Sequence, residues 1–183
     1  MGHRESLPVS AFDELLRGAS RRIFRVEALP EYNVPADRAL YEKFLRGVPL
    51  PPLSCSTTMQ WFGSIKGHSE RGVSFQRLRL MPEKVTPYLR YEIDWCYTYS
   101  KDFGEETRFH PLSATNQAIQ SDFYVVDDSK LIHIEYGPAG AWVGFSSEKD
   151  STYAKQLIAG SSALWDGATK LEEFLASYRS TSV

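Results

Sequence analysis

The sequence predicts a single α/β domain, a central mixed sheet with helices packed against it. Three observations carry that prediction. The 183 residues suit one domain and can bury a full hydrophobic core. Hydrophobic residues make up 42% and charged residues 24%, the balance of a globular chain rather than a disordered one. Helical and strand-like periodicities then follow one another, with a mainly helical part over 10–70 and a sheet-rich part over 72–183. Both parts are expected to form one body spanning 1–183.

Ser10 is expected to cap the first helix, with Asp13 in its first turn and Gly18 at its end. Phe12, Leu15 and Leu16 give that helix an apolar stripe. Arg21 to Leu29 alternates as a short strand. Pro35, Asp37, Leu40, Tyr41, Phe44 and Leu45 mark a second helix that closes near Gly47. Val48 to Leu53 carries three prolines in four residues, which favours polyproline II in a pinned loop or a hinge. Thr57 to His68 reads as helix and Val73 to Met81 as strand. The strand's apolar phase shifts between Phe75 and Leu78, which predicts a bulge near Gln76.

Thr86 to Tyr99 supports two readings. Tyr91, Ile93, Trp95, Tyr97 and Tyr99 alternate as in a strand. However, Thr86 before Pro87 is a good helix entry, and Leu89, Ile93 and Cys96 fall on one helical face, with Arg90 one turn from Asp94. Helix is preferred. Farther on, Thr107 to Leu112 reads as a strand, and Asp122 to Asp127 pairs with Lys130 to Tyr136 in a hairpin. Ala141 to Phe145 is a further strand after the turn Gly137 to Gly140. Helices over Asp150 to Trp165 and Leu171 to Tyr178 complete the chain.

The net charge of −2 lacks the basic excess of proteins that live on nucleic-acid phosphates, so direct nucleic-acid contact would need a local patch. Arg77 and Arg79, on one strand face, are the best candidates for it. That pair could hold a phosphate or a carboxylate, or form a solvated face. Cys55 and Cys96 fit no metal spacing and are expected to be buried thiols. Met1 to Pro8 has no apolar signal core, and no run is long enough to span a bilayer, so a cytoplasmic location without membrane contact is expected.

Catalytic signals are sparse. There is no Gly-x-Ser-x-Gly elbow, and His3, His68, His110 and His133 are scattered. His133 and Glu135 share a strand face in the His-x-Glu spacing of zinc deaminases, but the Pro-Cys-x-x-Cys half is missing. The alternative is a polar face opposite Ile132, Ile134 and Tyr136. Gly137 to Gly140 precedes no helix and reads as a turn rather than a phosphate loop. No cofactor and no metal is expected. The four Trp, ten Tyr and ten Phe are the chain's peculiarity, and the density of aromatics from Tyr88 to Tyr99 suggests that some face a groove. Candidate ligand- or partner-binding residues are Arg77, Arg79, Arg90, Glu92, Trp95, Asp122 and Asp127.

Several segments in order along the chain carry a resemblance: Phe12 to Arg17, Phe24 to Glu27, Gly72 to Arg79, Thr86 to Glu92, Gly104-Glu105 before Arg108, Asp122 to Asp127, and Ala163 to Trp165. Together they resemble an uncharacterised actinobacterial family, a domain of unknown function commonly encoded beside helix-turn-helix regulators. The resemblance implies a setting rather than a reaction. A fainter one links Asp122 to Asp128, and Leu164 to Ala168, to the phospholipase D-like superfamily, of which the chain would be a half-domain. Asp127 matches the Asp of its HxKxxxxD motif, but Gln120 stands at the His position and Asp122 at the Lys position. A chain without that nucleophile and cation would retain the fold as a binding scaffold.

These readings favour a non-catalytic regulatory or adaptor protein acting with a helix-turn-helix regulator through protein or small-molecule binding. The alternative is a small-molecule enzyme whose site draws on Arg79, Arg90, Glu92, Trp95, Asp122 or Asp127.

Overall fold

The computed structural model describes residues 3–50, 59–115 and 119–180. The prolines beyond Leu50 and Cys55 lie outside the described residues. An eight-stranded mixed sheet organises the chain in the order β1-β7-β6-β5-β2-β3-β4-β8. Its strands are β1 (Arg4–Leu7), β2 (Arg22–Glu27), β3 (Ser74–Met81), β4 (Glu105–Pro111), β5 (Phe123–Val126), β6 (Lys130–Tyr136), β7 (Trp142–Glu148) and β8 (Thr169–Lys170). β2, β3 and β4 run parallel, and the remaining pairings are antiparallel. This is the α/β fold that the periodicities predict.

The parallel strands are joined by helical crossovers, α2 (Arg38–Leu45) and α3 (Met59–Glu70) before β3, and α4 (Pro87–Tyr91) with its continuation before β4. Two apolar layers result. On one face Phe24, Val26, Leu78, Leu80, Phe123 and Val125 meet Ala154, Leu157 and Trp165 of α6 (Ser151–Asp166). On the other, Ile23, Phe75, Tyr124, Ile132 and Ile134 meet α1 (Val9–Arg17), α3 and α4. A third cluster seats α7 (Leu171–Ser180) against Leu89, Ile93, Tyr97 and Phe109.

Four local expectations change. α1 begins at Val9 behind Pro8, with no side-chain cap, so Ser10 lies inside the helix and Asp13 beyond its first turn. β1, an exposed edge strand held to β7 by its backbone, has no apolar pattern to announce it. β3 has no bulge, and its pairing with β2 and β4 is unbroken across Gln76. Its apolar phase shifts because this central strand is buried on both faces, with Leu78 and Leu80 toward α6 and Phe75, Arg77 and Arg79 toward the other side.

Thr86 does cap α4, accepting from the Leu89 N–H at 3.1 Å, with Pro87 in the first turn. The helix then widens into a π-helical segment, Glu92–Tyr97, before a final turn, α5 (Thr98–Ser100). The extra residue places Tyr97, rather than Cys96, on the face of Leu89 and Ile93, and turns Cys96 toward the opposite cluster. π-helical insertions of this kind occur frequently at functional sites.

Candidate functional site

The side of β2, β3 and β4 that faces α4 carries charge. On β2 these residues are Arg25 and Glu27, on β3 Arg77 and Arg79, and on β4 Glu105. Side chains two apart on a strand share a face, so each strand delivers its pair to the same side. Arg77 donates from Nη1 to Glu27 Oε1 at 2.8 Å and from Nε to Glu105 Oε1 at 2.9 Å. Arg25 Nη2 lies 2.8 Å from the same Glu27 oxygen. Arg79 is 0% exposed and donates to the Tyr32 hydroxyl at 2.8 Å and to the Leu29 carbonyl at 2.6 Å. Burial disfavours the Glu27 carboxylate, but Arg25, Arg77 and Arg79 outweigh that and hold its pKa down to about 2. Removing one partner from such a buried network costs about 3–5 kcal/mol, because a charge is left uncompensated.

Glu92 enters from the π-helical segment. Burial pushes it up to about 7, with Arg79 opposing and Glu27 adding to the rise. The geometry agrees. The Tyr97 hydroxyl lies 3.1 Å from Glu27 Oε2 and 3.2 Å from Glu92 Oε2, yet a phenol has one proton to give. With Tyr97 donating to Glu27, a protonated Glu92 completes the chain by donating to the Tyr97 oxygen. Arg79 stands 3.9 Å from Glu92, too far to supply a close compensating bond.

Five of these groups line a cavity of about 550 Å³, within the range of small-molecule sites, while Arg79 and Glu105 lie behind them. Arg25, Glu27, Arg77, Glu92 and Tyr97 line its base, and Trp61, Tyr88, Tyr124, Tyr136, Trp142 and Phe145 line its walls. Asn33 to Asp37 completes the lining. That loop is held by the 137–140 turn: Asn33 N–H donates to the Gly140 carbonyl at 3.1 Å, and Gly140, at φ +72°, packs against the Glu31 carbonyl. The turn reading is therefore correct, and the turn also shapes the cavity. Cys96 lines the cavity too, its thiol pushed up by burial and by the nearby Glu92 and Asp37, which keeps it protonated.

The sequence candidates separate into two groups. Arg77, Arg79, Glu92 and Asp122 come together in or beside the network. Arg77 and Arg79 form no solvated face, and their burial keeps both from a nucleic-acid phosphate. Asp122 braces the network from behind. It is 0% exposed and accepts from Ala28 N–H at 2.8 Å, Leu29 N–H at 3.2 Å, Tyr32 at 2.6 Å and Tyr136 at 3.0 Å. Arg90, Trp95 and Asp127 lie elsewhere. Arg90 is exposed on α4, and Trp95 is buried in the core beside Tyr91. Asp127 follows β5 at a positive φ; desolvation raises its pKa, but the backbone N–H groups of Arg22, Arg21 and Ser20 that it accepts together outweigh this and bring it down to about 2. It clamps a loop, with all of β5 between it and Asp122.

His133 and Glu135 do share a face of β6, opposite Ile132, Ile134 and Tyr136, but His133 is buried there and Glu135 is part-exposed. His133 stacks on Tyr153 of α6 with Nε2 3.4 Å from Glu148, and Glu135 accepts from Ser146 and Arg4. No cluster that could hold a metal occurs among the described residues. No helix among the described residues is long and apolar enough to cross a membrane. Sequence reasoning missed Glu27, Glu105, Tyr32 and the role of Arg25. The available signal was the i, i+2 spacing of charged residues, Arg25-x-Glu27 and Arg77-x-Arg79, inside strands that are apolar on their other face.

Fold and site together define an α/β protein with an aromatic-walled cavity over a buried ionic floor. The chain belongs to the family described as Domain of unknown function (DUF6879), whose model matches residues 10–176. No curated protein matches. Among solved structures, TrmBL2, an archaeal chromatin protein, is similar at 13% identity and a TM-score of 0.44, over 92% of this chain and 55% of that one, so this chain spans about half of its length. Nuc, a phospholipase D family member from Salmonella typhimurium, is similar at 11% identity and a TM-score of 0.48, over 93% and 97% of the two chains.

Proposed function

We propose that the protein is a non-catalytic regulatory protein that binds a small molecule in the cavity beneath α4, and that a helix-turn-helix regulator reads the bound state. The observation that carries the first part is the cavity itself, with aromatic walls and a floor of mutually locked charges. Glu27 is held by Arg25, Arg77 and Tyr97 at once, so the floor keeps its shape and offers fixed polar anchors rather than groups free to turn over. Support for the partner is the family resemblance and the position of Trp142, which lines the cavity yet is 48% exposed, where a bound ligand and a docked protein could both touch it.

Affinity purification at physiological salt, with mass spectrometry of co-purifying proteins and small molecules, tests both parts. A retained metabolite, and its loss in Trp61→Ala, is expected for the cavity, and a stoichiometric DNA-binding regulator for the partner. If neither is recovered, and thermal-shift screening of the purified protein finds no stabilising small molecule, the proposal falls.

One observation favours a second reading, a small-molecule enzyme. Glu92 lines the cavity and is pushed up to about 7, where a carboxyl group can serve as a general acid or base. Conversion of the retained molecule by the wild type but not by Glu92→Gln would favour this reading over the first.

A further inference from the structure

The ligand's chemistry is written in what the three arginines of the network do with their donors. Arg77 spends Nε and Nη1 on two carboxylates, and Arg79 spends both terminal nitrogens on Tyr32 and Leu29. Arg79 Nε is also buried without a partner, but Arg79 does not line the cavity. Arg25 does. Among the described residues Glu27 is the carboxylate that reaches it, through Nη2, and Glu27 Oε1 is already shared with Arg77. Its Nε is buried with no partner. Its guanidinium sits within 5.8 Å of the Trp61 ring centroid and 5.5 Å of that of Tyr124, lining the cavity between two aromatic surfaces. Burial works against its charge, but Glu27 outweighs this, so Arg25 remains a cation with donors to spare. A part-exposed, under-used guanidinium lining a cavity is a site waiting for an acceptor.

The charges that line the cavity favour a negative acceptor. Arg25 and Arg77 face Glu27 there, and burial favours the protonated form of the other two lining carboxyl groups, Glu92 and Asp37. With Glu92 and Asp37 protonated, the lining carries one cation more than it has anions. A cationic ligand would meet Arg25 and Arg77 directly. The body of the ligand must lie against Tyr88, Tyr136, Trp142 and Phe145, ring faces that suit a flat, apolar partner.

We propose that the cavity takes a planar aromatic acid, its carboxylate held by Arg25 between Trp61 and Tyr124, and that binding draws a proton onto Glu92. This rests on the small-molecule reading above and names the ligand class. The groups that face Glu92 are Arg79 and Arg77 from β3, Glu27 and Arg25 from β2, Tyr97 and Cys96 from its own segment, Tyr88 and Tyr91 from α4, and Tyr32, the tyrosines all raised by burial. Of these, the arginines stay charged, Tyr88, Tyr97 and Cys96 stay protonated, and Glu27 stays ionised near neutrality. Glu92 is therefore positioned to answer an incoming negative charge; Asp37, also raised by burial, is the other carboxyl group that lines the cavity, and loss of the uptake in Glu92→Gln separates the two.

The test compares 2-naphthoate with its neutral isostere 2-naphthamide and the cation 2-naphthylmethylamine on the wild-type protein, by tryptophan fluorescence and calorimetry. The acid should bind at least about tenfold more tightly than the amide, the usual worth of one charge-assisted bond. Arg25→Gln should abolish that preference, and Arg25→Lys should restore part of it. Calorimetry in two buffers of different ionisation enthalpy near pH 7 should show uptake of up to roughly half a proton per acid bound, absent in Glu92→Gln. If the amide or the amine binds as well as the acid, this inference is refuted while the small-molecule reading stands. If no naphthalene compound binds and no other small molecule stabilises the protein, both fail together. The ligand comparison on the wild type needs no variant, so a misfolded Arg25 substitution leaves the test intact.

Discussion

Replacing Glu92 with Gln should stabilise the protein, and by an amount that depends on pH. Glu92 titrates from 4.5 in the unfolded chain to about 7 in the fold, a preference for the protonated form worth about 3 kcal/mol. A carboxyl group whose folded pKa is raised contributes stability that is fully present below 4.5 and is lost as pH rises through 7. Gln mimics the protonated acid and never ionises. Urea unfolding of both proteins at about pH 5 and about pH 8.5 should therefore show near equality at the lower value. At the higher value the variant should gain up to about 3 kcal/mol, with unchanged denaturant sensitivity. His133, held below its ordinary pKa chiefly by burial, is common to both proteins, so its contribution cancels in the difference. A difference of constant size across pH, or a variant less stable at high pH, would refute the assignment of a proton to Glu92.

Asp122→Ala strands two backbone N–H groups and two tyrosine hydroxyls at a 0%-exposed site and should cost about 3–5 kcal/mol by chemical denaturation. Gly140→Ala forces a side chain into φ +72° with its Cβ 2.8 Å from the Glu31 carbonyl. It should destabilise by roughly 1–3 kcal/mol and loosen the Asn33 to Asp37 loop, visible as faster amide exchange there than in α6. Thr86→Ala removes the α4 cap and a 2.7 Å bond to the Pro30 carbonyl, and should cost about 1 kcal/mol in thermal unfolding.

Where one physical rule governed an element, the sequence made it legible. Thr86-Pro87 announced the start of α4, and the segment around Asp127 to Ser129 announced the β5–β6 hairpin, because caps and tight turns are decided by the residues that form them. Central strands were harder to read. β3 looked bulged because the usual alternation assumes one solvated face, and β3 has none. The π-helical widening at Glu92 was hidden for a related reason. Leu89, Ile93 and Cys96 satisfy an ordinary helix on paper, and what rotates Tyr97 into that face instead is packing against Phe109 and Leu171, far away in the chain. The site inherits both difficulties. Arg77, Arg79, Glu92 and Asp122 could be named as polar residues in apolar company, but Glu27 and Glu105 become their partners only through the pairing of β2, β3 and β4.

Those same strands carry an internal comparison that bears on why the site exists. Their α6 face is filled by Phe24, Val26, Leu78 and Leu80, an ordinary core built from the same backbone at the same depth. Their α4 face, one residue out of phase, carries Arg25, Glu27, Arg77, Arg79 and Glu105. Buried ion networks are seldom more stabilising than apolar residues of equal volume, and here the chain demonstrates that it can supply such residues one position away. A π-helical segment likewise replaces a regular turn, and it faces the same cavity, where its Tyr97 hydroxyl bridges the carboxyl groups of Glu27 and Glu92. Two departures from the most stable choice, on elements distant in sequence, converge on one cavity of about 550 Å³. Stability does not require that convergence, whereas recognition of a polar group on an apolar ligand does, because a site that must discriminate needs buried donors whose pairing the right ligand completes.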